Sequence, residues 1–168
     1  MAPRAASLEL TLMIEVQGLF ETRLSVRNLG RSIRFYHHIL GLQPALRLPR
    51  RDAAFFWLGE VGQTMLALWP MPTASAFIRR HLTLRVTRAQ IEAAIPSLRA
   101  AGLTPRIGTT PIEEPAVLPW MPAASVSVTD PDGHSLEYLC MLDDAPQPQR
   151  DPLPLSAWQA LQTARGQR

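Results

Sequence analysis

Three ionisable side chains, Glu21, His81 and Glu137, stand where the surrounding pattern predicts strands of a sheet. Glu21 and His81 each begin a short alternating run, and Glu137 interrupts the mostly apolar run 135–141. A carboxylate buried in a strand is costly unless it is paired or bound to a metal. One imidazole and two carboxylates suit a borderline-to-hard divalent cation with open coordination positions. The three residues therefore predict a site for such a cation.

Taken one at a time, the same side chains have simpler explanations. His81 could be a core histidine bonded to a backbone carbonyl, and Glu21 could form an ion pair with Arg23 or Arg85. Glu137 could likewise pair with an arginine. The joint placement of all three at equivalent strand positions favours the metal site over these alternatives.

An internal repeat predicts the elements that hold these residues. Segments 21–26 and 81–86 alternate in the same way, and Leu24 corresponds to Leu84 at an offset of 60 residues (84 − 24). Alternation with period two is typical of half-buried strands. On both predicted strands the apolar residues face one side and the ionisable residues face the other.

Each of these strands leads into a predicted helix. Asn28 is expected to cap the first helix and Thr87 the second. Gly41 and Gly102 stand where left-handed residues end helices. Pro96 predicts either a kink in the second helix or a helix that starts late, because proline removes a backbone donor and clashes one turn back.

Strand-like runs complete both halves of the chain. Three follow each helix, so each half is predicted as a β-α-β-β-β module and the chain as an α+β protein. The modules are expected to form one curled, mixed sheet with helices outside. The runs are 44–48, 53–58 and 64–69 in the first half, and 104–108, 124–129 and 135–141 in the second.

The repeat also predicts the domain organisation. A single domain, 20–142, would consist of modules 20–70 and 81–142, between an N-terminal extension, 1–19, and a proline-rich tail, 143–168. In the tail, Ser156 could cap a short helix that docks on the domain or reaches a partner. The proline-rich segment 109–122 is predicted as a loop, either a lid over a pocket or a plain surface crossover.

Composition narrows the class of protein. Of 168 residues, 46% are hydrophobic and 18% charged, which indicates one globular domain. All 17 basic residues are arginine, but the net charge is only +3 and the clusters are short, so no nucleic-acid partner is expected. A single cysteine, Cys140, and the lack of a signal or membrane-span pattern predict a soluble, cytoplasmic protein with no membrane partner.

Two regions of the sequence resemble the vicinal-oxygen-chelate superfamily, and the resemblance covers about 20–142. This superfamily includes glyoxalase I, extradiol dioxygenases, fosfomycin-resistance proteins and bleomycin-binding proteins. The matching residues are the opening run 24–29 with Ser32, Phe35-Tyr36 and Leu40-Gly41, and the closing run 130–137.

The resemblance implies a particular ligand set. In the superfamily, metal ligands come from the first and fourth strands of each module and point into a cup. The corresponding positions are Glu21, His81 and Glu137, with Ala67 at the fourth. The divalent cation would be Zn, Ni, Mn, Mg or Fe, and Glu137 or Glu21 would be the catalytic base. The residues expected to line the substrate pocket are Arg23, Met65, Trp69, Arg85 and Trp120.

The implied activity is that of a metal-dependent, glyoxalase-like lyase or isomerase, acting on a small substrate with neighbouring oxygens. Ala67 replaces a glutamate of glyoxalase I, which argues against true glyoxalase I activity. Glu21 replaces a histidine of the extradiol dioxygenases, which argues against an oxygen-activating iron site. A binding protein that sequesters a small, antibiotic-like ligand is the main alternative, and an extradiol-type dioxygenase is the third. The resemblance also implies a homodimer.

Overall fold

A computed structural model describes residues 16–71 and 76–166. The predicted N-terminal extension, 1–19, lies mostly outside the described residues. Across those residues, none of the helices has the length and apolarity that a membrane crossing needs.

The first module forms a four-stranded sheet in the order β1-β4-β3-β2. β1 runs parallel to β4, and the other pairs are antiparallel. The first helix continues into a π-helical turn. The elements are β1 (Glu21–Val26), α1 (Leu29–Arg34), the π-helical turn (Phe35–Ile39), β2 (Gln43–Leu48), a 3-10 turn (Pro49–Arg51), β3 (Ala53–Trp57) and β4 (Met65–Pro70).

The second module repeats this plan with additions. Its first strand again pairs parallel with its last, β5 with β10, and β9 follows antiparallel. The elements are β5 (His81–Arg85), α2 (Arg88–Glu92), α3 (Ala94–Ala100), β6 (Arg106–Ile107), β7 (Thr110–Pro111), β8 (Ala116–Leu118), β9 (Ala123–Thr129) and β10 (Ser135–Met141), and the tail adds β11 (Leu153–Pro154) and α4 (Leu155–Gly166).

The predicted α+β class with two βαβββ modules is confirmed. The expected single curled sheet is not found, because backbone hydrogen bonds divide the strands into one sheet per module, of four and seven strands. In each sheet one face packs on the helices. We call the opposite face the cup face.

The predicted helix ends are confirmed. The Asn28 side chain accepts a hydrogen bond from the Arg31 backbone N–H, and Thr87 forms a reciprocal capping box with Gln90. Gly41 has φ +71°, a left-handed value that residues with a Cβ rarely adopt.

Pro96 has the effect that the sequence predicts. The second helix is divided into α2 and α3 at Ala93, and Pro96 lies in the first turn of α3. Backbone N–H groups in a first turn have no intrahelical acceptor, so proline loses nothing there.

The proline-rich segment 109–122 is a correction to the prediction of a loop. It contains β7, which pairs with β6, and β8, which pairs with β9. Val117 on β8 is fully buried in the core. The predictions of a lid and of a plain surface crossover were therefore both wrong. The apolar run 116–118 forms a strand that pairs with β9, where the two-residue strand β6 leaves part of β9 unpaired.

The tail helix α4 packs on the domain, which is one of the two placements considered. Trp158 is 1% exposed within the main core, and its indole N–H donates to Asp144. Ser156 does not precede the helix as its cap, because α4 begins at Leu155. Glu114 instead accepts hydrogen bonds from the Ser156 N–H and hydroxyl, at 2.9 and 2.8 Å.

The turn between β9 and β10 joins the two modules. The fully buried His134 ring accepts a hydrogen bond at Nδ1 from the Arg80 N–H and, in the tautomer that this fixes, donates from Nε2 to the Ser25 carbonyl. Asp132, also buried, accepts from the Arg27 N–H and pairs with the Arg31 guanidinium. The start of the first module is therefore bonded to the end of the second.

Candidate functional site

Glu137 is the centre of a hydrogen-bond network on the cup face of the second module. Its Oε2 atom lies 2.9 Å from His81 Nε2 and accepts a 2.8 Å hydrogen bond from the Thr83 hydroxyl. Its Oε1 atom accepts a 2.5 Å hydrogen bond from the Ser125 hydroxyl. Side chains from three neighbouring strands, β5, β10 and β9, thus form one hydrogen-bond network around this carboxylate.

Strand alternation explains this placement. The neighbours of Glu137 on β10, Leu136 and Tyr138, pack in the main core, so Glu137 must face the other way. Thr83 is its register partner on the parallel strand β5. The Glu137 side chain is 12% exposed and the His81 side chain 56% exposed, so the pair is open to solvent on the histidine side.

The network keeps Glu137 ionised. Burial by itself raises the pKa of this carboxyl, but hydrogen bonds from Ser125, Thr83 and His81 stabilise the charged form. Their combined effect is larger, and the pKa of Glu137 lies below its ordinary value. At neutral pH the side chain is a carboxylate that can accept protons or bind a cation.

Glu21 is not brought into this network. It lies on β1, where its carboxylate contacts the Arg23 guanidinium at 3.4 Å. Within residues 16–71 and 76–166, no group of three or more His, Cys, Asp or Glu side chains is placed to hold a metal ion. Of the three predicted ligands, the structure brings together His81 and Glu137.

The donor types of this pair fit a divalent cation. An imidazole nitrogen and a carboxylate oxygen on adjacent strands are ligands that zinc and similar ions use. Two protein ligands are fewer than the three of a typical catalytic site, and both Glu137 oxygens already accept hydrogen bonds. A cation there would replace the contact between His81 and Glu137.

The predicted pocket residues separate into two groups. Met65 and Trp69 pack in a small apolar cluster on the cup face of the first module, together with Phe55. The Arg23 guanidinium lies 4.5 Å from the centre of the Trp69 ring, within the range of a cation–π contact. Arg85 and Trp120, by contrast, are exposed and lie outside that cluster.

The sequence analysis missed several residues of the second cup face. Ser125 and Thr83 bind Glu137, and Ser127 is its register partner on β9. Arg106 on β6 is in turn the register partner of Ser127. The polar residues at every second position of β9 were a usable signal, because they mark a strand face that is not core.

Comparison with known proteins identifies the family of this chain. The model of the Glyoxalase/Bleomycin resistance protein/Dioxygenase superfamily matches residues 18–138, well over half of the chain. No curated protein sequence matches the chain.

Solved structures agree with this match. An integron cassette protein from the mobile metagenome of the Halifax Harbour sewage outfall is 30% identical, with 75% of this chain and 100% of that chain covered and a TM-score of 0.64. A glyoxalase/bleomycin resistance protein/dioxygenase from Nocardioides is 24% identical, with 83% and 93% covered and a TM-score of 0.60. A lactoylglutathione lyase from Agrobacterium tumefaciens, also 24% identical over 75% and 95%, has a TM-score of 0.57 and shares the fold.

The sequence match over residues 18–138 includes the four residues of the Glu137 network, His81, Thr83, Ser125 and Glu137. The chain therefore belongs to the Glyoxalase/Bleomycin resistance protein/Dioxygenase superfamily.

Proposed function

We propose that this protein is a metal-dependent enzyme of the lyase or isomerase type that acts on a small molecule with two neighbouring oxygens. The observation that carries the proposal is the Glu137 carboxylate, which is ionised, mostly buried and in contact with His81. A mostly buried carboxylate with a shifted pKa and a histidine neighbour is a combination found at functional sites.

His81 and Glu137 are the two side chains that would hold a divalent cation, with Glu21 as the predicted third ligand. Such an ion, one of Zn, Ni, Mn, Mg or Fe, supplies Lewis-acid polarisation of substrate oxygens when bound. The homodimer that the family resemblance implies and the cytoplasmic location expected from the sequence belong to the same proposal.

The chain's own residues account for proton transfer. Glu137 would accept the proton from the carbon next to a substrate carbonyl, because its carboxylate is held in place by hydrogen bonds to both oxygens. Ser125 and Thr83 donate to separate oxygens of the carboxylate and so fix its plane. Glu21 is the alternative base.

Metal content tests the proposal. The protein is purified without an affinity tag, reconstituted with each candidate ion, desalted and analysed by mass spectrometry, beside Glu137→Gln. The wild type is expected to retain about one equivalent and Glu137→Gln to lose it. Glu92→Gln is the matched control, since Glu92 is an exposed carboxylate paired with Arg88 on α2. Normal metal content in Glu137→Gln, or none in the wild type, would sink the assignment.

A second candidate function, ligand binding without chemistry, is favoured by the cup face of the first module. Trp69 lies edge-on to Phe55, with ring centres 6.2 Å apart, and Arg23 covers its face. A flat apolar ligand would stack on Trp69 in place of the Arg23 guanidinium. This candidate predicts that Trp69→Ala weakens ligand binding whereas a chelator leaves it unchanged, and a loss of binding on chelation would contradict it.

A further inference from the structure

Arg106 lies on the same face of the second sheet as Glu137. Strand register pairs Arg106 with Ser127, and Ser127 with Glu137. Directly opposite residues of neighbouring antiparallel strands project from the same face. Strands are about 4.8 Å apart, so the Arg106 and Glu137 backbones are separated by about 10 Å, with Ser127 between them.

The Arg106 guanidinium lacks the partners that other arginines of this chain have. Its Nε atom is buried and has no hydrogen-bond acceptor among the described residues. No ion pair involving Arg106 occurs in that part of the chain, whereas Arg31 is paired with Asp132 and Arg47 with Asp52. A buried donor without an acceptor loses its hydration and gains nothing in return, so it needs an explanation.

We propose that Arg106 binds a carboxylate of the substrate. The Nε–H and an adjacent Nη–H of a guanidinium form a flat fork that matches the two oxygens of a carboxylate. A ligand held there would extend past Ser127 and present its neighbouring oxygens to His81 and Glu137. The placement of the substrate's neighbouring oxygens at His81 and Glu137 rests on the proposed function. Carboxylate binding at Arg106 does not require a metal.

The substrate class follows from this spacing. It is a small organic anion with a carboxylate at one end and vicinal oxygens at the other, separated by a short carbon chain. A suitable probe is 2-hydroxyglutarate, and its analogue with the distal carboxylate converted to an amide is the matched neutral probe. The two probes differ in charge at the end assigned to Arg106 and are nearly identical in shape.

Titration calorimetry with both probes tests the assignment. The wild type is expected to bind the dicarboxylate at least about tenfold more tightly than the amide, because charge-assisted hydrogen bonds are about twice as strong as neutral ones. Arg106→Met should abolish the discrimination, and Arg106→Lys should retain part of it. Arg88→Met, at an exposed site on α2, should leave it unchanged.

Stability separates a binding role from a structural one. If Arg106 binds ligand, Arg106→Met removes an unpartnered donor and should leave the melting temperature of the ligand-free protein unchanged or raised. A marked fall would assign Arg106 to the fold and overturn the proposal. Equal affinity of the wild type for the two probes, no binding of either, or discrimination that survives in Arg106→Met would also overturn it.

Metal content of the same samples distinguishes this proposal from the proposed function. Metal bound to the wild type, with no effect of Arg106 on probe affinity, would refute the carboxylate assignment alone. A metal-free wild type that still discriminates through Arg106 would support the assignment and refute the metal-dependent enzyme.

Discussion

Replacing Asp132 with alanine should weaken the junction between the modules. The Asp132 side chain is fully buried, and it accepts hydrogen bonds from the Arg27 N–H at 3.1 Å and from the Arg31 guanidinium. A hydrogen bond to a charged group contributes about 1.5–3 kcal/mol. The Arg31 side chain is 45% exposed, so solvent screening limits its share to about 1 kcal/mol. Asp132→Ala should therefore lower the free energy of unfolding by about 2–4 kcal/mol.

Urea denaturation, monitored by circular dichroism, measures this loss. The dependence of the unfolding free energy on urea concentration should be the same as in the wild type. Glu92→Ala is the control, because the Arg88–Glu92 pair is an exposed i,i+4 contact worth about 0.5 kcal/mol or less. If Asp132→Ala costs no more than Glu92→Ala, the junction does not hold the modules together and the reasoning fails.

Two further predictions concern buried polar groups. Because the pKa of Glu137 is lowered, its stabilising contribution is complete above the unfolded-state pKa of about 4.3 and is lost as pH falls through the lower folded-state pKa. Glu137→Gln should therefore show a shallower loss of stability below about pH 4 than the wild type, measured by urea denaturation at several pH values, and identical profiles would contradict it. His134→Ala removes the fully buried ring and its hydrogen bonds with the Arg80 N–H and the Ser25 carbonyl, each of which contributes about 0.5–1.5 kcal/mol, and a thermal melt close to wild type would refute this.

Local signals in the sequence predicted much of the fold. The helix caps at Asn28 and Thr87 and the division of the second helix near Pro96 depend on residues within one or two turns, and all three were predicted. Period-two alternation also predicted β1 and β5, because this pattern depends only on residues close together in the sequence.

Features that depend on distant residues were not predicted. The addition of β8 to the sheet edge was missed, because a three-residue strand has too few residues to show a period. The His134 junction connects atoms that lie 54 and 109 positions away, which no local pattern reports.

The residues of the candidate site show the same contrast between local signals, which were predicted, and contacts between distant residues, which were not. The sequence analysis predicted that His81 and Glu137 lie on the same face of the sheet, and the structure brings their side chains within 2.9 Å. The assignment of Glu21 to the same site depends on how the modules meet, and its carboxylate instead contacts Arg23. Arg106 was missed because it lies on a strand of two residues, and its position opposite Ser127 is a matter of register.

A cobalt titration tests the central claim most directly, because Co²⁺ accepts the same ligands as zinc and its visible spectrum reports protein coordination. The wild type is expected to bind one equivalent, and His81→Ala should bind at least about tenfold more weakly, since loss of even an outer contact to a ligand changes metal affinity by about 10–100-fold. A wild type that binds no Co²⁺, or an affinity unchanged in His81→Ala, would contradict a metal site formed by His81 and Glu137.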